Sequence, residues 1–111
     1  MRAWFEVGRI DDVPLRGARV VRTAQGEVAV FRSADGAIFA LRNRCPHKGG
    51  PLSEGIVSGR SVACPLHNWA IDLESGTAKA PDIGCAPPVP VRVVDGTISL
   101  ELESGLKVVN A

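Results

Sequence analysis

The sequence predicts an all-β domain of antiparallel sheets, and three observations carry that prediction. Gly and Pro, 12 and 8 of the 111 residues, act as punctuation. Turn signals stand at Gln25-Gly26, Asp35-Gly36, Ser58-Gly59, Ser75-Gly76 and Asp95-Gly96, at the roughly ten- to twenty-residue spacing of a small β domain. No long window shows a helical period, and the segments between the turns read as short strands.

The elements follow in order. One helical turn is expected near Asp11-Asp12-Val13. Arg19–Thr23 and Glu27–Arg32 flank Gln25-Gly26 as a strand pair, and Ala37–Leu41 follows Asp35-Gly36. Residues 43–70 differ from their flanks: they are loop-like, rich in Gly and Pro, and look inserted into a scaffold. Val89–Val94 and Thr97–Glu103 flank Asp95-Gly96, and Asp-Gly between apolar runs is a strong hairpin signal. In the second of these strands Ile98, Leu100 and Leu102 share one face, and Ser99, Glu101 and Glu103 the other. The tail from Ser104 has weak strand character and is expected either to fray or to dock. Trp4, Phe5, Phe31 and Phe39 are read as core.

Length and charge exclude several functions. A chain of 11.7 kDa has room for one core. Thirteen basic against twelve acidic residues leave no excess or stripe for nucleic acid. The longest stretch without a formal charge, Ser61–Ile71, is far short of the ~20 apolar residues of a membrane span. The opening MRAWFEVGRIDD has no apolar run or cleavage site, so no signal peptide and a cytoplasmic location are expected. No G-x-G-x-x-G follows a strand, which leaves no dinucleotide site.

The chemistry concentrates in five residues, three Cys and two His. Cys45-Pro-His47 is followed, after sixteen residues, by Cys64-Pro-Leu-His67. Each half sets a thiolate and an imidazole on one tight loop, and two such loops can close around a metal centre. Zinc and iron–sulfur centres both take these ligands. Zinc sites usually pair Cys with Cys and His with His, whereas each half here is mixed. The third thiol, Cys85, is read as a small buried residue packing its loop, and Trp69 as packing beneath the second ligand loop.

The C-x-H…C-x2-H pattern resembles the ligand set of Rieske [2Fe–2S] proteins, in which two Cys hold one iron and two His the other. The resemblance runs from about Phe5 to Leu102. It implies one [2Fe–2S] cluster, with Cys45 and Cys64 on the first iron and His47 and His67 on the second. It also implies a Rieske domain over 1–104, a cluster-binding subdomain over about 43–70, a proline loop over 81–90 matching Gly84-Cys-Ala-Pro-Pro-Val-Pro90, and a C-terminal tail over 105–111. High-potential family members add a disulfide between the ligand loops and a Tyr hydroxyl near the cluster. Those Cys positions are Gly50 and Leu66 here, and the chain has no Tyr, which places it low in the Rieske range.

Within the family, Cys45-Pro-His-Lys-Gly-Gly-Pro-Leu52 and Cys64-Pro-Leu-His-Asn-Trp-Ala-Ile-Asp72 resemble the small subunit of assimilatory NAD(P)H-dependent nitrite reductase. That resemblance implies an accessory electron-transfer or structural subunit, with no complete active site of its own. FAD, sirohaem and a [4Fe–4S] cluster are then expected only on a large partner subunit that reduces nitrite to ammonia. The alternative is the Rieske ferredoxin of an aromatic-ring dioxygenase system, with an oxygenase or reductase as partner. Lys48, beside a ligand His, is either a solvated charge or a contact for an acidic partner.

Overall fold

In the computed structural model the architecture is nearly all-β, with ten strands and two single turns of 3-10 helix among the described residues, 2–23, 26–44, 50–65, 69–79, 84–103 and 108–110. The strands are β1 (Arg2–Arg9), β2 (Gly17–Thr23), β3 (Gly26–Arg32), β4 (Ile38–Arg42), β5 (Ile56–Ser58), β6 (Ser61–Ala63), β7 (Ala70–Asp72), β8 (Val91–Val94), β9 (Thr97–Glu103) and β10 (Val108–Asn110). The helical turns are Ile10–Asp12, one residue from its expected centre, and Leu52–Glu54. Every named strand pair is antiparallel. Three sheets result, ordered β1-β9-β8, β10-β2-β3-β4 and β5-β6-β7.

The middle sheet is covered on both faces, and β3 shows why. Its run Val28-Ala-Val-Phe31 is apolar at four consecutive positions, all buried. Side chains alternate across a strand, so Val28 and Val30 face one way and Ala29 and Phe31 the other. Val30 pairs with Ala40, and these join Val21, Ile98, Leu100 and Leu102 in one core against the β1-β9-β8 sheet. Ala29 pairs with Leu41, and these join Phe31, Leu52, Val62, Cys64 and Ile71 in a second core toward the β5-β6-β7 sheet. A solvated face on this sheet would have required polar residues at alternate positions.

The Asp95-Gly96 hairpin forms as expected, with a two-residue loop between Val94 and Thr97 and both loop residues at positive φ, the conformation the strand twist favours. The alternation beyond it is imperfect, because Ser99 is buried along with Ile98 and Leu100. Arg2–Arg9, for which no element is predicted from the sequence, is a full strand on β9. The reading of Trp4 is corrected. Trp4 is not core: its ring is partly exposed and lies under the Arg92 guanidinium at 4.4 Å, an aromatic face offered to a cation. Phe31 is buried as expected, and Phe5 and Phe39 are half-buried against the two cores.

The segment over 43–70 carries more regular structure than its loop-like composition shows. It contains the Leu52–Glu54 turn, β5, β6 and the start of β7. In the tail, β10 pairs with β2. Among the described residues no helix is long and apolar enough to cross a membrane.

Candidate metal centre

Three loops grow from the second core, and their stems are what the structure places. The first leaves β4 at Arg42 and returns at Leu52; Leu41 and Leu52, on either side of it, are both fully buried in that core. The second joins β6 to β7. Ala63 pairs with Ala70, and the Cys64 N–H donates to the Trp69 carbonyl oxygen at 2.7 Å, which pinches the loop shut at its root. The third, 84–90, lies along β4: the Arg42 N–H donates to the Pro87 carbonyl at 3.0 Å, and the Val89 N–H to the Ala40 carbonyl at 2.9 Å. Ala86 of this loop shares the core with Leu41, Leu52 and Cys64.

Of the four side chains the sequence offers as ligands, Cys64 is placed, while Cys45, His47 and His67 lie outside the described residues. The Cys64 side chain has no solvent exposure, and Pro65 next to it is exposed, so the chain turns outward immediately after the thiol. Trp69 packs half-buried against the same core, on the return of that loop, as its reading anticipated. Cys85 does not behave as expected. It is exposed, its thiol donates to the Ser75 carbonyl oxygen at 3.8 Å, and its backbone forms a bridge to Thr77.

The third loop is fitted to the turn after β7 by an absent side chain. Gly76 has φ +75°, and a Cβ there would run into the Ala86 carbonyl oxygen. Without it, the Ala86 N–H donates to the Gly76 carbonyl at 2.7 Å. The turn itself is set by Asp72, whose carboxylate accepts from the Ser75 hydroxyl at 2.7 Å and the Ser75 N–H at 2.9 Å. These bonds, hydroxyl first, hold the Asp72 carboxyl below its ordinary pKa, because they favour the charged form.

Two polar features were not legible as site elements. Asn43, buried at the stem of the first loop, donates from Nδ2 to Glu27 Oε1 at 3.0 Å and accepts on Oδ1 from the Ser53 N–H at 2.7 Å. Arg60, in the β5–β6 turn, donates to the Asp35 carboxylate at 3.0 Å and lies 5.6 Å from the Phe39 ring centroid. Asp35 also accepts from the buried Ser33 hydroxyl. A buried Asn beside a loop root is a signal only once its neighbours are known; the charges of Asp35 and Arg60 look like any solvated pair.

A buried thiol at the root of one Cys/His loop, in the same core as both ends of the other, is a donor of the kind an iron–sulfur centre takes. Cys64, the one candidate ligand among the described residues, therefore fits such a cluster.

Comparison with known proteins agrees. Residues 3–94 match the Rieske [2Fe–2S] domain family. The anthranilate 1,2-dioxygenase ferredoxin subunit of Burkholderia cepacia is 36% identical over 105 residues, covering 89% of this chain and 92% of that one. A ferredoxin solved in complex with the oxygenase of carbazole 1,9a-dioxygenase superposes with a TM-score of 0.78 at 27% identity, covering 87% of this chain and 91% of that one. A Mycobacterium tuberculosis structure described as a "putative NADH-dependent nitrite reductase small subunit" superposes with a TM-score of 0.82 at 27% identity, covering 94% and 98%. The mixed Cys/His loops, the stems that converge on Cys64 and a family match running from β1 to β8 lead to one conclusion: this chain belongs to the Rieske [2Fe–2S] domain family and takes one Rieske-type cluster.

Proposed function

We propose that the chain is the ferredoxin component of an aromatic-ring oxygenase system, carrying single electrons from a reductase to the oxygenase. Cys45 and Cys64 hold one iron of its cluster, and His47 and His67 the other. The supporting observation is the 36% identity to the anthranilate dioxygenase ferredoxin subunit over nearly the whole of both chains. The sequence runs around the ligands ranked the nitrite reductase small subunit first; this weight of identity reverses that order.

The bound cluster supplies reversible one-electron chemistry at a potential raised by its imidazole ligands. The chain's own residues hold and screen it. Cys64 would present its thiolate from a root with no solvent exposure, and the loop over 84–90, tied to β4 through Pro87 and Val89, would help to screen the cluster from solvent. The domain is read as 1–104, with 43–70 and 81–90 forming the cluster end and 105–111 a tail, and its location as cytoplasmic.

One observation favours the second reading, a nitrite reductase small subunit: the TM-score of 0.82 over 94% of this chain. FAD, sirohaem and [4Fe–4S] would then reside on a large partner subunit. Deleting the gene separates the two. Loss of aromatic-ring hydroxylation with normal growth on nitrite is the expected result. Failure to grow on nitrite as sole nitrogen source, with hydroxylation intact, overturns the ferredoxin reading.

A further inference from the structure

We propose that Asn43 is a positioning residue that sets the geometry of the first ligand loop and, through it, the electronic state of the cluster. The inference rests on the reading of Cys45 and His47 as ligands. Asn43 stands two residues before Cys45, and its side chain bridges the two ends of the loop that contains both ligands.

Three bonds fix it. The Asn43 N–H donates to the Glu27 carbonyl at 3.0 Å, which continues the pairing of β3 with β4 by one residue. Its Nδ2 donates to Glu27 Oε1 at 3.0 Å, and its Oδ1 accepts from the Ser53 N–H at 2.7 Å. Ser53 lies in the helical turn where the loop returns. The opposite amide orientation would set oxygen against the Glu27 carboxylate and N–H against the Ser53 N–H, so only one orientation is compatible with both neighbours. The residue is 9% exposed, so water does not replace a lost partner cheaply. Glu27 is itself paired with Arg22 Nε at 3.6 Å, which extends the tie to β2.

The tie is separable from the core beneath it. Leu41 and Leu52 are fully buried and anchor the two strand-side ends without help from Asn43. What Asn43 adds is the spacing of the two stems above that core. Rieske potentials respond to hydrogen bonds at the cluster and to solvent access, and both depend on how the loop backbone is held. Few other side chains meet the need. An Asp accepts from Ser53 but cannot donate to Glu27, and it sets two carboxylates together. An Ala does neither.

The test compares purified, cluster-loaded chains. Asn43→Ala and Asn43→Asp are expected to shift the reduction potential and the EPR g values of the clusters they retain, and to lose iron to a chelator roughly tenfold faster, the scale of one buried hydrogen bond. Asn43→Asp combined with Glu27→Gln reverses donor and acceptor across the tie and is expected to return all three readouts toward the parent. Glu27→Ala, a change at an exposed strand position, keeps the protein measurable if the buried variants fold poorly; it should shift the potential in the same direction by less. Variants whose retained clusters show the parent's potential, EPR and chelator rate overturn the inference, whatever their melting temperatures. A parent whose cluster survives Cys45→Ser unchanged overturns the ligand reading and this inference together.

Discussion

Arg60 and Asp35 stand twenty-five positions apart in the chain and meet at 3.0 Å, joining the β5–β6 turn to the β3–β4 turn. The contact ties the small sheet that carries Cys64 to the middle sheet of the scaffold. Both partners are more than half exposed, so water and salt weaken their attraction, and the packing of Val62 and Ile71 against Phe31 remains the main bond between the layers.

The Asp35 carboxyl is nevertheless held down to about 2, first by the Ser33 hydroxyl and then by the Arg60 guanidinium. A carboxyl depressed in the folded state stabilises the fold fully above its unfolded value, near 4, and loses that contribution as pH falls toward about 2. Asp35→Asn should therefore flatten the acid limb of the stability curve between those values and leave its shape above pH 5 unaltered. Urea unfolding at a series of pH values reads this directly.

The close approach at Gly76 gives a second prediction. Gly76→Ala combines a positive φ with a Cβ driven into the Ala86 carbonyl, so the loop over 84–90 has to move. Strained backbone of this kind costs on the order of 1–3 kcal/mol, and the collision adds to it. Denaturant unfolding should show at least that loss, and amide exchange should quicken at Ala86, whose N–H donates to Gly76, and at Val89, whose N–H ties the same loop to Ala40 of β4.

Phe31 should be the most costly single truncation in β3. It is fully buried on the face toward Cys64, and Phe→Ala in such a site costs about 3–5 kcal/mol. Val30→Ala, on the opposite face, removes less volume from the other core and should leave the cluster's absorption spectrum unaltered. Unfolding curves and visible spectra of the two variants check both statements.

The potential should lie in the lower part of the Rieske range of roughly −150 to +300 mV, below zero on the hydrogen scale. The reasons are local: the chain has no Tyr, and Gly50 and Leu66 occupy the positions where a loop-linking disulfide would stand. Protein-film voltammetry measures it, and a value above +100 mV would remove this placement.

What could be read in advance depended on the length over which a pattern repeats. Ile98, Leu100 and Leu102 alternate over a full strand beside Asp95-Gly96, and both strand and turn were legible. The strands β5, β6 and β7 have three residues each, too few to show a period, and Gly and Pro around them hid a sheet inside an apparent loop. In β1, Trp4 points its ring at Arg92 rather than into the core, a choice made by a strand at the other end of the chain. Cys85 was read as buried by habit of residue type, yet its loop is secured through the backbone of Thr77 and Gly76, leaving the thiol outside. The Cys/His pattern can be read as a candidate ligand set because such chemistry demands residue types at close spacing. Asn43 was not legible, because nothing about an Asn indicates its partners until β3 and the Leu52–Glu54 turn are brought to it.

The most direct test of the account is iron and acid-labile sulfide analysis of the purified chain beside its Cys64→Ser variant. The account predicts two irons and two sulfides per parent chain, as a [2Fe–2S] domain requires, and their near-complete loss in the variant, whose buried position offers no other thiolate from that loop. One zinc and no sulfide in the parent, or a variant that keeps the full cluster, would contradict it.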